Sequence, residues 1–79
     1  MDERRTTPRH HVMKAGTIEF DGGSFTCVIR DLSIAGAGLD VASSVGIPDH
    51  FTLVLRADGL HFPCHVAWRE ERRIGVAFD

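Results

Sequence analysis

Tyrosine is missing from this chain of 79 residues, tryptophan occurs once and phenylalanine five times. Barrels that hold single-stranded nucleic acid stack successive bases on several aromatic side chains along a basic groove. So thin an aromatic supply argues against that class. Cysteine is almost as scarce: Cys27 and Cys64 are the only two. Each sits inside an apolar, strand-like run, which suits free thiols of a core rather than a disulfide framework. No apolar run approaches the roughly 18 residues that a bilayer-spanning helix needs, and Met1-Asp2-Glu3-Arg4-Arg5 carries no apolar leader. A cytoplasmic location with no direct membrane insertion is the expectation.

Strong charge of one sign is lacking too. Nine Lys and Arg against eleven Asp and Glu leave a net charge of −2, whereas a general nucleic-acid binder is strongly basic. Catalytic signatures are missing as well: there is no Gly-x-Ser-x-Gly elbow, no P-loop and no recognisable spacing of paired carboxylates. Gly36-Ala37-Gly38 is too short for a dinucleotide fingerprint. The five histidines are His10, His11, His50, His61 and His65. His61 and His65 on one strand would lie about 13 Å apart, too far to share an ion, and Cys64 and His65 would face opposite sides. No metal site and no cofactor are expected, and binding without chemistry fits better than an enzyme.

What the chain does have is a charge asymmetry. Residues 1–14 hold Arg4, Arg5, Arg9 and Lys14 against Asp2 and Glu3, and the remainder holds five basic and nine acidic residues. A basic N-terminal arm on an acidic body suits capture of a small anion, since the local field speeds encounter while a long polyanion is repelled. Pro8 and the polar composition predict an extended arm over residues 1–11, followed by one domain over 12–79. A domain this small buries a modest share of its surface, so a ligand or second subunit could add to its stability.

From Val12 onward the apolar period is two. Ile18 and Phe20 share a face, Asp21-Gly22-Gly23-Ser24 reads as a hairpin turn, and Phe25, Cys27 and Ile29 resume the apolar face. Gly16 is expected to permit a bulge or a sharp coil of the sheet. Gly36-Ala37-Gly38 is expected to reverse the chain into a third strand at Leu39-Asp40-Val41. Phe51, Leu53 and Leu55 mark a fourth strand, and Ala57-Asp58-Gly59 is a turn signal. Phe62, Cys64, Val66 and Trp68 alternate as a fifth, Ile74, Val76 and Phe78 as a sixth, and nothing has a helical period. The expected fold is all-β, a small six-stranded antiparallel barrel, because closure removes exposed edges. Trp68 is expected to pack in the core or at its rim, with a base-stacking role as the minority reading.

Two motifs carry the chemistry. Arg5-Thr6-Thr7-Pro8-Arg9 is an RxxxR, and Asp31-Leu32-Ser33-Ile34-Ala35-Gly36 is a DxSxxG. Guanidinium groups match phosphate oxygens bidentately and stack on flat bases, and the O6/N7 edge of guanine is a common target of an Arg fork. A carboxylate such as Asp31 accepts from N1–H and N2–H on guanine's other edge. Asp31 and Ser33, two apart, point the same way on extended backbone. The bland alternative for the second motif is a plain turn, with Asp and Ser bonding neighbouring amides and Gly admitting positive φ.

The two motifs, their order and separation, and the ending Cys64-His65-Val66-Ala67-Trp68-Arg69 with Arg73-Ile74-Gly75-Val76-Ala77-Phe78 resemble the PilZ family of bacterial receptors for cyclic di-GMP. The resemblance covers nearly the whole chain. It implies a six-stranded barrel, Arg5 and Arg9 as contacts to phosphates and guanines, and Asp31, Ser33 and Gly36 as the guanine-binding turn. Arg4, His10 and Arg69 are secondary candidates, with Arg4 placed to influence whether one ligand or an intercalated pair is bound. It also implies signalling to a downstream protein through ordering of the arm. Many relatives continue into a C-terminal helix, whereas this sequence stops at Asp79, so the surface beneath such a helix is expected to be exposed or covered by another chain. Homodimerisation is thereby left open. A barrel that has lost the ligand and serves only as a protein-interaction module is the rival expectation.

Overall fold

The computed structural model describes residues 9–79. Six strands follow one another: β1 (His10–Phe20), β2 (Gly23–Leu32), β3 (Gly36–Asp40), β4 (His50–Leu55), β5 (Leu60–Arg69) and β6 (Arg73–Phe78). They close in the order β1-β2-β3-β6-β5-β4, and every neighbouring pair is antiparallel. The seam is the pairing of Gly16–Glu19 with Thr52–Leu55. The expected antiparallel barrel is borne out, and among the described residues there is no helix.

Alternation decides which side chains fill the barrel. Ile18, Ile29, Leu39, Leu53 and Ile74 are wholly buried, each contributing about 1.5–3 kcal/mol relative to exposure. Hairpins make most of the connections, but β3 and β4 lie on opposite sides of the ring, so residues 41–49 must cross one end. That crossing is fastened by Val41 N–H to the Arg72 carbonyl (3.0 Å) and Ser44 N–H to the Glu71 carbonyl (2.9 Å), and Ile47 plugs the core from it.

Several local expectations are corrected. β1 starts at His10, because His10 and His11 pair with Leu32 and Asp31. Gly16 carries no bulge and pairs regularly with Cys27 and Leu55. Its missing side chain leaves room for Ile29, whose Cδ1 would stand 3.0 Å from an added Cβ. The β1 irregularity lies instead between His11 and Lys14. Gly36-Ala37-Gly38 does not reverse the chain but forms β3 itself, and the reversal is at Ser33–Ala35.

Trp68 is the most consequential correction. The β5–β6 register shifts between Val66 and Trp68, so Ala67 is an extra residue and strict alternation fails after Val66. A bulge re-aims the side chain that follows it. Trp68 therefore leaves the inward file of Cys64 and Val66 and stands on the outer wall, 41% exposed.

Candidate functional site

Asp31 of β2 pairs with Gly38 of β3, Gly38 with Gly75 of β6, and Gly75 with Trp68 of β5. One register row thus runs across the outer wall as acid, glycine, glycine, indole. The glycines form its floor because the flanking side chains fold over them. A Cβ on Gly38 would come 2.5 Å from Asp31 Oδ2, and a Cβ on Gly75 would collide with the Trp68 indole nitrogen. A second register shift, between Ile29 and Asp31, makes Arg30 the extra residue and turns Asp31 outward.

Arg9 reaches this row from the residue before β1. Its Nη1 donates to Asp31 Oδ1 at 2.6 Å, with the Arg9 side chain 60% and the Asp31 side chain 24% exposed. An ion pair so accessible is worth at most about 1 kcal/mol, which leaves the guanidinium exchangeable toward another anion. Arg9, Ser33, Gly36, Trp68, Gly75 and Ala77 are among the residues that line an open cleft of about 380 Å³. A guanidinium and an indole lining one cleft, with the Asp31 carboxylate paired to that guanidinium, suit a planar, hydrogen-bonding, anionic ligand.

The other candidates fall as follows. Ser33 Oγ accepts from the N–H groups of Ala35 (3.1 Å) and Gly36 (3.2 Å), and the Ser33 N–H donates to the Gly36 carbonyl at 2.9 Å. Its hydroxyl tightens the turn, and the residue also lines the cleft. Gly36 is needed for close approach and not for positive φ, since a Cβ there would strike the Val76 carbonyl. Arg69 turns away from the cleft and donates to the Ser44 carbonyl (2.7 Å) and to Asp49 Oδ1 (3.0 Å), fastening the crossing loop. His10 borders a neighbouring apolar hollow of about 610 Å³ with Val12, Leu32, Ile34, Phe62 and Phe78. Arg4 and Arg5 lie outside the described residues.

Arg30 is also engaged elsewhere. Asp40 accepts from Arg73 Nε at 2.8 Å and from Arg30 Nη1 at 2.9 Å. The hydrogen bond from Arg73, supported by Arg30, holds the Asp40 carboxyl below its usual range. Sequence reasoning missed Gly38, Gly75 and the outward Trp68. A glycine inside a strand is a signal of close approach, and Gly75 between Ile74 and Val76 offered that signal without saying what approaches.

A closed six-stranded barrel with a cleft on its outer wall and a cation brought to the rim from outside the barrel defines the class of protein. The family model described as the PilZ domain matches residues 3–79, and the chain belongs to that family, whose members are cyclic di-GMP receptor and adaptor domains, not enzymes. No curated protein matches the chain.

Proposed function

We propose that this domain is a cytoplasmic receptor that binds cyclic di-GMP over the Asp31–Trp68 row, with Arg5 and Arg9 as contacts to its phosphates and guanines. The observation that carries the reading is the Arg9–Asp31 pair at the rim of the cleft. It unites the last residue of one motif with the first residue of the other. Arg9 would exchange Asp31 for a ligand phosphate or guanine edge, Asp31 would accept from guanine N1–H and N2–H, and Trp68 would offer a stacking face. The Ser33–Gly36 turn holds Asp31 in place more than it touches the ligand. Binding that fixes the residues before β1 against the barrel would present a new surface to a downstream protein.

Isothermal titration with cyclic di-GMP, using GTP as control anion, is expected to give saturable binding with a change in the emission of Trp68, the sole tryptophan. Arg9→Ala removes a charge-assisted contact worth about 1.5–3 kcal/mol, so affinity should fall roughly tenfold to a hundredfold. Absence of heat and of emission change at high protein concentration, at two temperatures, overturns the reading in favour of an interaction module.

A further inference from the structure

We propose that His50 and His65 form a second, separate site that takes a borderline divalent transition-metal ion of the Zn²⁺ type through two imidazoles. Neither residue lines the cleft described above, so the inference stands independently of cyclic di-GMP binding.

The β4–β5 register sets His50 directly opposite His65. Their ring centres are 5.9 Å apart, with the planes inclined by 41°. Two imidazoles sharing one tetrahedral ion at metal–nitrogen distances of about 2.0–2.1 Å have ring centres roughly 5 Å apart, close to the separation found here. Both rings are accessible, His50 being exposed and His65 about half so.

Asp79 supplies the orientation. Its Oδ1 lies 2.7 Å from His65 Nδ1. A carboxylate can only accept there, so in the neutral imidazole the proton sits on Nδ1 and Nε2 keeps the lone pair that a metal needs. A carboxylate behind a histidine is the usual outer support of a metal-bound imidazole. The surroundings favour a cation as well. Glu19, Asp21, Asp79 and His50 border a shallow cleft of about 340 Å³ whose lining contains no Lys or Arg.

Among the described residues no group of three or more His, Cys, Asp or Glu converges on one point. The remaining coordination positions therefore belong to water, and the site is open rather than a closed structural centre. Sequence spacing could not reveal it, because the two ligands sit on neighbouring strands and only the register opposes them. His61, four residues from His65, pairs with Val54 and takes no part.

The test is titration of the full chain with ZnCl₂ and NiCl₂ near pH 7.5, with MgCl₂ as control, following the histidine ring signals by NMR and the unfolding temperature. One equivalent of Zn²⁺ should shift His50 and His65 first and raise the unfolding temperature, and Mg²⁺ should do neither. His50→Gln and His65→Gln should each weaken binding at least tenfold, whereas the His10→Gln, His11→Gln double variant should bind as the parent does. Asp79→Asn should weaken it by about tenfold. Both histidines are accessible, so folding should survive, and circular dichroism checks it; should His65→Gln fail to fold, His50→Gln and the NMR titration decide. Undiminished binding in His50→Gln, first shifts at His10, His11 or His61, or no shift in excess metal overturns the site. Unchanged affinity in Asp79→Asn overturns the orienting role given to that carboxylate.

Discussion

Gly38 and Gly75 are where single atoms decide what the outer wall can hold. Gly38→Ala would set a methyl group 2.5 Å from Asp31 Oδ2 and push the carboxylate off the row. On the proposed binding mode, loss of the Asp31 bonds to guanine should lower cyclic di-GMP affinity about tenfold, read by calorimetry, in a variant that still unfolds cooperatively. Asp40 makes a prediction of pH dependence. Its carboxyl is held low by Arg73 and then Arg30, so the folded state favours the ionised form. That contribution is present above the unfolded value near 3.8 and is lost as pH falls through the lower folded value. Asp40→Asn should therefore be less stable than the parent in urea at pH 7, with the gap narrowing as the pH is taken below 3.8. At this scale Arg9 and Asp31 were legible, because their residue types and spacing state their chemistry. The glycines were not, since a glycine's purpose is written in the side chains of other strands.

Strands and turns divide differently between what could be read and what could not. Period-two runs and turn residues gave the right number of strands but began the third too late, and the Ala57-Asp58-Gly59 signal falls between β4 and β5 where Gly59 adopts φ +66°. No heavy atom lies within 4 Å of a Cβ at that position, so Gly59→Ala tests backbone strain alone. A left-handed alanine costs roughly 1–2 kcal/mol, and the unfolding temperature should drop by about 4–8 °C or more in a domain of this size. Bulges were the illegible part. Ala67 looks like any small strand residue, yet its insertion reverses the facing of Trp68. A bulge is settled by which register lets the partner strands pair and the core fill, and no local pattern encodes that competition.

For the molecule as a whole, closure turns six half-buried ribbons into one core. Cys27 and Cys64 report on it. Burial pushes the Cys27 thiol up to about 11 and, with the Asp79 charge adding to burial, the Cys64 thiol up to about 12. Neither is nucleophilic at pH 8. Ellman's reagent should leave both unmodified in the native protein and modify two per chain on unfolding in guanidinium, and rapid native modification would count against a closed barrel. The sequence by itself determined the all-β class, the number of strands, the burial of Ile18, Ile29, Leu53 and Ile74, and the motifs that point to an anionic guanine ligand, because these follow from local alternation and from side-chain chemistry. Tertiary structure alone decided the ring order, the outward Trp68, the glycine floor under Asp31, the diversion of Arg69 to the crossing loop and the meeting of His50 with His65. Each of these depends on the register between strands distant in sequence, which is chosen by how the whole core packs.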